Sequence, residues 1–567
     1  MALSKKINLL VKKVLLVFTG TCLYVLCQPN VILQEGVSFL AFIALVPAFI
    51  LAVTSSLACA PLWGLVYGIL ANGAVVIWLG SFSEIAFVGV LVLYACIFAI
   101  LFLLLNIVAR AFKQHIWLPL WILYLGYEYA KTLGFFGFTY GILAYSQWKI
   151  PFLVRTASLF GVWGLSALIV FPSAFIANFF IEKLSNELFL MGAHGVVESS
   201  CCLWKKFQVL FFEFLKFCKA RIFVLISWAC FCMGMILLPP LIDSFSTNEY
   251  ITKKIALVQP NSDPWKSSIY QYKKDLEVLC SLSEQAMSLD EQVDLVVWPE
   301  TAFVPRIKWH YRFREDHRLF GLVDDLLHFI DAQKVPFLIG NDEALYDSSL
   351  AGASIDLEAG RVDYNAALLF EPQKTVIPPR PKVYYKQHLV PLTESFPYKD
   401  MFPQIYQFLL DADTHLYEAG TDAVVFDCNG IRFSVPICFE DTFGTVTRAF
   451  ARAGAQLLVG ISNDAWSKNQ AAQFLHVSTS VFRAAEVGLP LVRSTADGIT
   501  CSIDRTGKII QKLEASSPGF LIAECMIPEK PRTLYYYIGD VLGNMFFVCS
   551  IACVIYATFM LVKKRKS

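Results

Sequence analysis

The chain has 567 residues, 56% hydrophobic and 16% charged, a balance too apolar for an ordinary soluble protein and too charged for one immersed in lipid throughout. A formal net charge of +1 leaves no bulk surplus of either sign with which to hold a nucleic acid or an acidic polymer. A mixed molecule is therefore expected, part lipid-embedded and part water-soluble.

From the N-terminus, Lys5, Lys6, Lys12 and Lys13 precede an apolar stretch with no small-residue cleavage site after it, which reads as a retained membrane helix rather than a removed signal peptide. A spanning helix takes about 20 apolar residues. Seven candidates precede residue 245, near 13–27, 32–53, 58–80, 85–109, 117–133, 158–181 and 222–241, and an eighth covers 538–562. Basic residues gather in alternate loops of this eight-span α-helical bundle: at the N-terminus, at Arg110 and Lys113, along 183–221, and at Lys563, Lys564, Arg565 and Lys566. The positive-inside tendency then puts both termini in the cytoplasm and the region after span seven on the outer face. The predicted division is 1–245 for spans one to seven, 250–530 for a soluble domain, 536–562 for span eight and 563–567 for a basic tail. Within span five, Glu128 and Lys131 stand three residues apart and can pair on one helix face, either as a functional intramembrane group or as an interfacial anchor.

Between 250 and 530, short apolar runs such as 255–258, 294–298 and 456–462 alternate with amphipathic stretches such as 269–288 and 311–332, which is α/β patterning. Asn429-Gly430 predicts a tight hairpin turn, because both residues tolerate positive φ. Of sixteen cysteines, five fall in this stretch (Cys280, Cys428, Cys438, Cys501 and Cys525), an odd number without regular spacing and so a poor disulfide framework. The eight histidines form no HExxH and no CxxC frame is present, so no metal site is readable and no cofactor is implied.

Three reactive groups sit where strands run out into loops, the usual place for chemistry. Glu300 closes Asp294-Leu-Val-Val-Trp-Pro-Glu300, where Pro299 stops ladder pairing; alone, it reads more readily as a surface ion-pair partner. Lys386 lies among aromatic and apolar neighbours in Tyr384-Tyr-Lys-Gln-His-Leu-Val-Pro-Leu-Thr-Glu394, with Glu394 available to hold it; the plain alternative is a solvated loop lysine. Cys438 leaves an apolar strand and enters an acidic turn, Cys438-Phe-Glu440-Asp441, as a nucleophile or as a buried core cysteine. Phe396, Tyr398, Phe402 and Trp466 form an aromatic set able to line an acyl route, or simply to pack.

Taken in order, WPET, KxHLVPxxE and CFED resemble the nitrilase, or carbon-nitrogen hydrolase, superfamily, a resemblance extended by Val258-Gln-Pro-Asn261 and Ser462-Asn-Asp-Ala-Trp466. The Lys386 to Glu394 string, with seven spans before the domain and one after, resembles the apolipoprotein N-acyltransferase family in particular. That resemblance implies a four-layer αββα sandwich with Glu300 as general base, Lys386 as transition-state stabiliser, Cys438 as nucleophile, and Glu394 and Glu440 as supporting carboxylates. It also implies a phospholipid acyl donor, a diacylglyceryl-cysteine apolipoprotein as acceptor, no cofactor, and a bacterial inner membrane with the catalytic domain on the periplasmic side. Trp265 is a shifted counterpart of a family tryptophan, and Trp265, Phe396, Phe439 and Trp466 are the substrate-lining candidates. Phe439 stands where the family usually has tyrosine, and Thr393 where it usually has glycine. The same trio also serves a membrane-tethered amidase or nitrilase with water as the second acceptor.

Overall fold

A computed structural model of the protein describes residues 2–112, 115–191, 203–245, 249–347, 360–412, 414–530 and 533–566. Of the predicted basic residues, Lys113 lies outside this set, as do the tail residue Ser567 and the side chains of Lys5, Lys6, Lys205, Lys206, Arg565 and Lys566.

Among the described residues, five helices are long and apolar enough to cross a membrane: Ile7–Leu26, Glu84–Ala111, Ala157–Leu184, Ile222–Ser244 and Val541–Lys564. The other three predicted spans differ. The stretch 32–53 becomes one 3-10 turn, Ser38–Phe42, and the helix Val46–Thr54; 58–80 is shortened to Ala60–Val75, and 117–133 to Trp117–Ala130. Apolarity alone does not separate helix from buried irregular backbone. Here Pro47 and Pro61 start their helices late, as proline in a first turn does. The carbonyls left over are taken up by protein: Asn106, fully buried on Glu84–Ala111, donates to Ala52 O and Ser55 O, both at 2.8 Å. Such side chains make broken helices tolerable away from water.

Among the described residues, the α/β region holds twelve strands. They are β1 Tyr250–Gln259, β2 Leu295–Trp298, β3 Phe337–Tyr346, β4 Arg361–Phe370, β5 Lys382–Tyr385, β6 Phe426–Cys428, β7 Ile431–Ser434, β8 Leu457–Ser462, β9 Leu491–Thr495, β10 Cys501–Ile503, β11 Ile509–Lys512 and β12 Gly519–Pro528. Two six-stranded sheets result, ordered β12-β1-β2-β3-β4-β5 and β11-β10-β9-β8-β7-β6. The middle pairs β1-β2, β2-β3, β7-β8 and β8-β9 are parallel. β2 and β8 are buried along their whole length, as parallel strands covered on both faces must be. Asn429 (φ 50°) and Gly430 (φ 72°) make the expected two-residue turn between β6 and β7.

Alternate residues of the first sheet face opposite ways. Ile255, Leu257, Val297 and Leu338 share a core with Val459, Val492 and Phe433 of the second sheet. Ala256, Val258, Val296 and Trp298 pack under the helices Ile269–Leu289 and His317–Asp331. Over the second sheet lie Gly444–Ala453 and Gln470–Val487. This is the sandwich of helix, two sheets and helix.

Nearly all of Gln470–Val487 is buried although it carries His476, Ser478, Thr479, Ser480, Arg483 and Glu486, because it lies between the second sheet and the membrane-type helices. The long helix Ala157–Met191 kinks at Phe160 and Gly161, freeing the Val162 N–H, and Glu486 Oε1 accepts it at 3.1 Å. A Cβ on Gly161 would meet the Tyr535 ring at 2.6 Å, so glycine is required at this joint. Trp163 Nε1 and Tyr535 OH both donate to Asp540 Oδ1, at 2.7 and 2.9 Å, locking the last helix to the same corner.

Candidate active site

Glu300 follows β2 and lies against β3 at Gly340. A Cβ there would meet Pro299 O at 2.5 Å and Glu300 Cα at 2.6 Å, so the approach needs glycine. The carboxylate is 5% exposed and fully engaged. Its Oε1 accepts from Asn365 Nδ2 at 2.8 Å and Lys386 Nζ at 3.2 Å, and its Oε2 accepts from the Asn463 N–H at 2.9 Å.

Lys386 comes directly after β5, where its N–H donates to Asn365 O on β4 at 2.9 Å. Its Nζ has no exposure and bridges Glu300 and Glu394, the latter at 2.8 Å. Glu394 is anchored in turn by the Val390 N–H, 2.8 Å from its Oε2. Burial opposes the ammonium charge, but Glu300 and Glu394, with Cys438 behind them, hold the Lys386 pKa well above the ordinary lysine value.

Cys438 opens the one-turn helix Cys438–Thr442 with φ at 50°, a left-handed conformation rare for a side-chain-bearing residue and typical of strained functional turns. The ladder of β7 has already ended at Ser434, before Pro436. Burial, and then Glu300, push the thiol well above its ordinary value while Lys386 pulls it down.

Glu440 joins the two halves of the site. Its Oε1 accepts from Tyr384 OH (2.8 Å), Gln387 N–H (2.7 Å) and His388 N–H (3.1 Å), just past Lys386, while Oε2 accepts from the Ile437 N–H (2.9 Å), just before Cys438. It is fully buried, and burial raises its pKa against those hydrogen bonds. Its work is to set the distance between the lysine loop and the cysteine turn.

Cys438 opens onto a cavity of about 490 Å³ with predominantly apolar walls. Gly89, Val90 and Leu93 of the helix Glu84–Ala111 line it, with Phe138, Tyr140, Phe439 and Trp466. Val92, also in the lining, is 59% exposed, so the cavity reaches the outer surface of an apolar helix. Four of the aromatic candidates, Trp265, Phe396, Tyr398 and Phe402, fall outside this lining. Trp265 is 46% exposed and packs edge-on against Trp466 with ring centroids 5.1 Å apart. Phe396 is buried against Tyr398, which in turn meets Phe135. Phe402 is exposed. The contacts to Trp466 and Phe135 join segments distant in the chain, which residue type cannot disclose.

Asn365, Asn463, Tyr140, Asp441, Asp464, His476 and Arg493 all join the site without having been singled out from sequence. Asn463 and Asp464 lie in the Ser462–Trp466 string, which was a signal without a role; His476, on a helix with other polar residues, carried none. Ligand atoms of Cys438, Asp464 and His476 lie within 4.8 Å of one another. That set does not suit a metal ion: each histidine nitrogen already stands 2.8 Å from a carboxylate oxygen, so neither offers an ion a free lone pair.

Residues 254–529 match the carbon-nitrogen hydrolase family, and residues 20–175 match the apolipoprotein N-acyltransferase N-terminal domain. Apolipoprotein N-acyltransferase 1 of Treponema denticola is 38% identical over 553 residues, 97% of this chain and 96% of that one. The chain belongs to the apolipoprotein N-acyltransferase family. Its relative of the same name in Treponema pallidum is 40% identical over 95% of this chain and 94% of its own. Among solved structures, Saccharomyces cerevisiae Nit3, a member of branch 10 of the nitrilase superfamily, is 18% identical, covers 51% of this chain and 94% of its own, and has a TM-score of 0.33. The family is one of membrane-associated acyltransferases with a carbon-nitrogen hydrolase catalytic domain, and this chain has both parts.

Proposed function

We propose that the protein moves a fatty acyl chain from a phospholipid, through a thioester on Cys438, to the N-terminal α-amine of a diacylglyceryl-cysteine apolipoprotein. The observation that carries this reading is the apolar cavity between Cys438 and the outer surface of the helix Glu84–Ala111, a slot for a hydrocarbon chain ending at a nucleophile. Hydrolysis of a small amide needs no such slot.

In the first half-reaction Sγ attacks the ester carbonyl while Glu300 takes the thiol proton, and Lys386 faces the charge that develops. The C–O bond then breaks, Glu300 returns the proton to the departing oxygen, and a lysophospholipid leaves. In the second, the α-amine attacks the thioester, Glu300 accepts an amine proton, the C–S bond breaks, and the proton returns to sulfur. Glu394 and Asn365 keep Lys386 and Glu300 aligned, and Glu440 keeps the lysine loop against the cysteine turn. No metal or organic cofactor enters the scheme.

Because both substrates carry hydrocarbon tails, the tails can stay in lipid while their polar junctions reach Cys438. A freely diffusing enzyme would have to extract them at about 0.8 kcal/mol per CH2. The arrangement we infer is eight crossings, residues 1–245 and 536–562 in a bacterial inner membrane, both termini and the basic tail in the cytoplasm, and residues 250–530 on the periplasmic side. Support comes from the alternation of basic loops and from the five long apolar helices. Intact-mass analysis of the protein mixed with phospholipid alone tests the chemistry. A gain of one acyl chain on Cys438, removed when a lipopeptide acceptor is added, is the expected result; release of free fatty acid with no acyl adduct would favour an amidase-like hydrolase instead.

A further inference from the structure

Beside the nucleophile lies a buried charge cluster that the scheme above leaves idle. His476 is clamped at both ring nitrogens: Nε2 stands 2.8 Å from Asp441 Oδ1 and 3.1 Å from the Cys438 carbonyl oxygen, and Nδ1 stands 2.8 Å from Asp464 Oδ1. Arg493 Nε reaches Asp441 Oδ2 at 3.1 Å, and its Nη2 reaches Asp464 Oδ2 at 3.1 Å and His476 Nδ1 at 2.7 Å. The Ser480 hydroxyl donates to Asp441 Oδ2 at 2.8 Å, and Tyr140 presents its ring edge-on to the imidazole, centroids 6.3 Å apart. His476 and Asp464 both reach the cavity wall, and a ring nitrogen lies within 4.8 Å of the Cys438 sulfur.

Three separate segments meet here: the strained Cys438 turn, the Asn463–Asp464 loop that donates to Glu300, and the helix Gln470–Val487. Two buried carboxylates face one guanidinium, and a second cation is needed to neutralise them. A left-handed turn at a nucleophile persists only where its surroundings over-determine it, and the Nε2 contact to the Cys438 carbonyl is one such restraint.

We infer that His476 is a positioning residue for the acyl transfer: as an imidazolium, donating from both ring nitrogens, it ties the Cys438 turn to the Asn463–Asp464 loop and so holds the sulfur where Glu300 and Lys386 act on it. This rests on Cys438 being the nucleophile. In the step concerned the S–C bond forms, the ester C–O bond breaks and the thiol proton travels by way of Glu300; His476 keeps its own proton throughout.

Burial and Arg493 oppose that proton, but Asp441 and Asp464 outweigh them and raise the His476 pKa to about 9. Of the groups facing it, Asp441 and Asp464 are held below their ordinary values, while Arg493, Tyr140 and Cys438 are held above theirs. A histidine raised in this way is charged at neutral pH and loses its contribution as pH climbs through about 9.

The test uses the full chain in mixed micelles of phosphatidylethanolamine and phosphatidylglycerol without acceptor, following the rate of acyl-enzyme formation by intact mass across pH. The wild-type rate should fall above about pH 9. H476Q should be about tenfold or more slower at neutral pH, with half-saturating phospholipid within about twofold of wild type and no such fall. A wild-type rate that does not fall, or an H476Q rate within about twofold of wild type, overturns the inference. If H476Q fails to fold, the wild-type profile decides alone. C438A run beside it separates the two claims: acylation that survives there removes the nucleophile assignment and this inference with it, whereas acylation lost there but intact in H476Q removes only the role of His476.

Discussion

The buried glutamates and lysines Glu128 with Lys131, and Glu300 with Lys386, behave in opposite ways. Glu128 and Lys131 are three residues apart on one helix, the spacing at which such side chains ordinarily meet. Each turns instead to the backbone of the next loop, Glu128 Oε1 accepting from the Leu143 N–H at 2.8 Å and Lys131 Nζ donating to Tyr140 O at 2.8 Å. Glu300 and Lys386 are 86 residues apart and form a direct pair at 3.2 Å. The near pair is spent on structure: it pins the loop that carries Tyr140 to the wall of the cavity. The distant pair is held by Glu394 and Asn365 yet faces a thiol, so its charges remain available to chemistry. Sequence proximity, then, is no guide to which ionic groups of a buried set will react.

The sharpest way to break this contrast is at the distant pair. Glu300→Gln and Lys386→Ala should each slow acylation of Cys438 by about 100-fold or more, and Cys438→Ser should remove the acyl adduct at an unfolding temperature near wild type, whereas Lys386→Ala, which leaves two carboxylates without their cation, should also lower it. Intact mass with phospholipid alone reads all three, and a variant that keeps full activity would return its residue to a structural role.

Next comes Glu440, which stands between the categories. Glu440→Gln turns an amide N–H toward the Ile437 N–H, so it should cost about 1–3 kcal/mol of stability and slow acylation without changing the dependence on phospholipid concentration. Thermal unfolding and single-turnover acylation measured on one preparation would show both. A purely catalytic effect at unchanged stability would contradict the assignment of Glu440 to spacing.

The near pair should show the reverse balance. Lys131→Met leaves the Tyr140 carbonyl buried without its donor and should lower stability by about 1–3 kcal/mol, while acylation falls less than in any variant of Glu300 or Lys386. Activity lost to the same degree would mean that Lys131 does more than hold a loop. Smallest of all, Cys280→Ser, on a helix far from the cavity, should leave acylation within about twofold of wild type and stability within about 1 kcal/mol.

Much of this architecture was legible before any coordinates. Runs of apolar residues declare membrane helices because a long helix in lipid must be apolar over its whole length. Alternating patterns declare the sheets because side chains of a strand point to opposite faces. The hairpin at Asn429-Gly430 is local chemistry, and it formed as expected. Glu300, Lys386 and Cys438 were visible because each ends a strand-like run and because their strings resemble a family. Helix length was less legible: 32–53, 58–80 and 117–133 are apolar enough to span, yet prolines and buried side-chain donors such as Asn106 let part of each leave the helix.

What the chain by itself determined is the division into long apolar helices and an α/β domain, since these depend on periodicity; Glu300, Lys386 and Cys438 were the candidates that short motifs offered. Only the tertiary structure decided that Trp466 and Phe439 line the cavity while Trp265 and Phe396 do not, that Glu440 bridges two loops, and that His476 completes a charge cluster behind Cys438. Those facts depend on contacts between segments tens to hundreds of residues apart. The free energy of such contacts comes from burial and charge compensation, which residue order does not record.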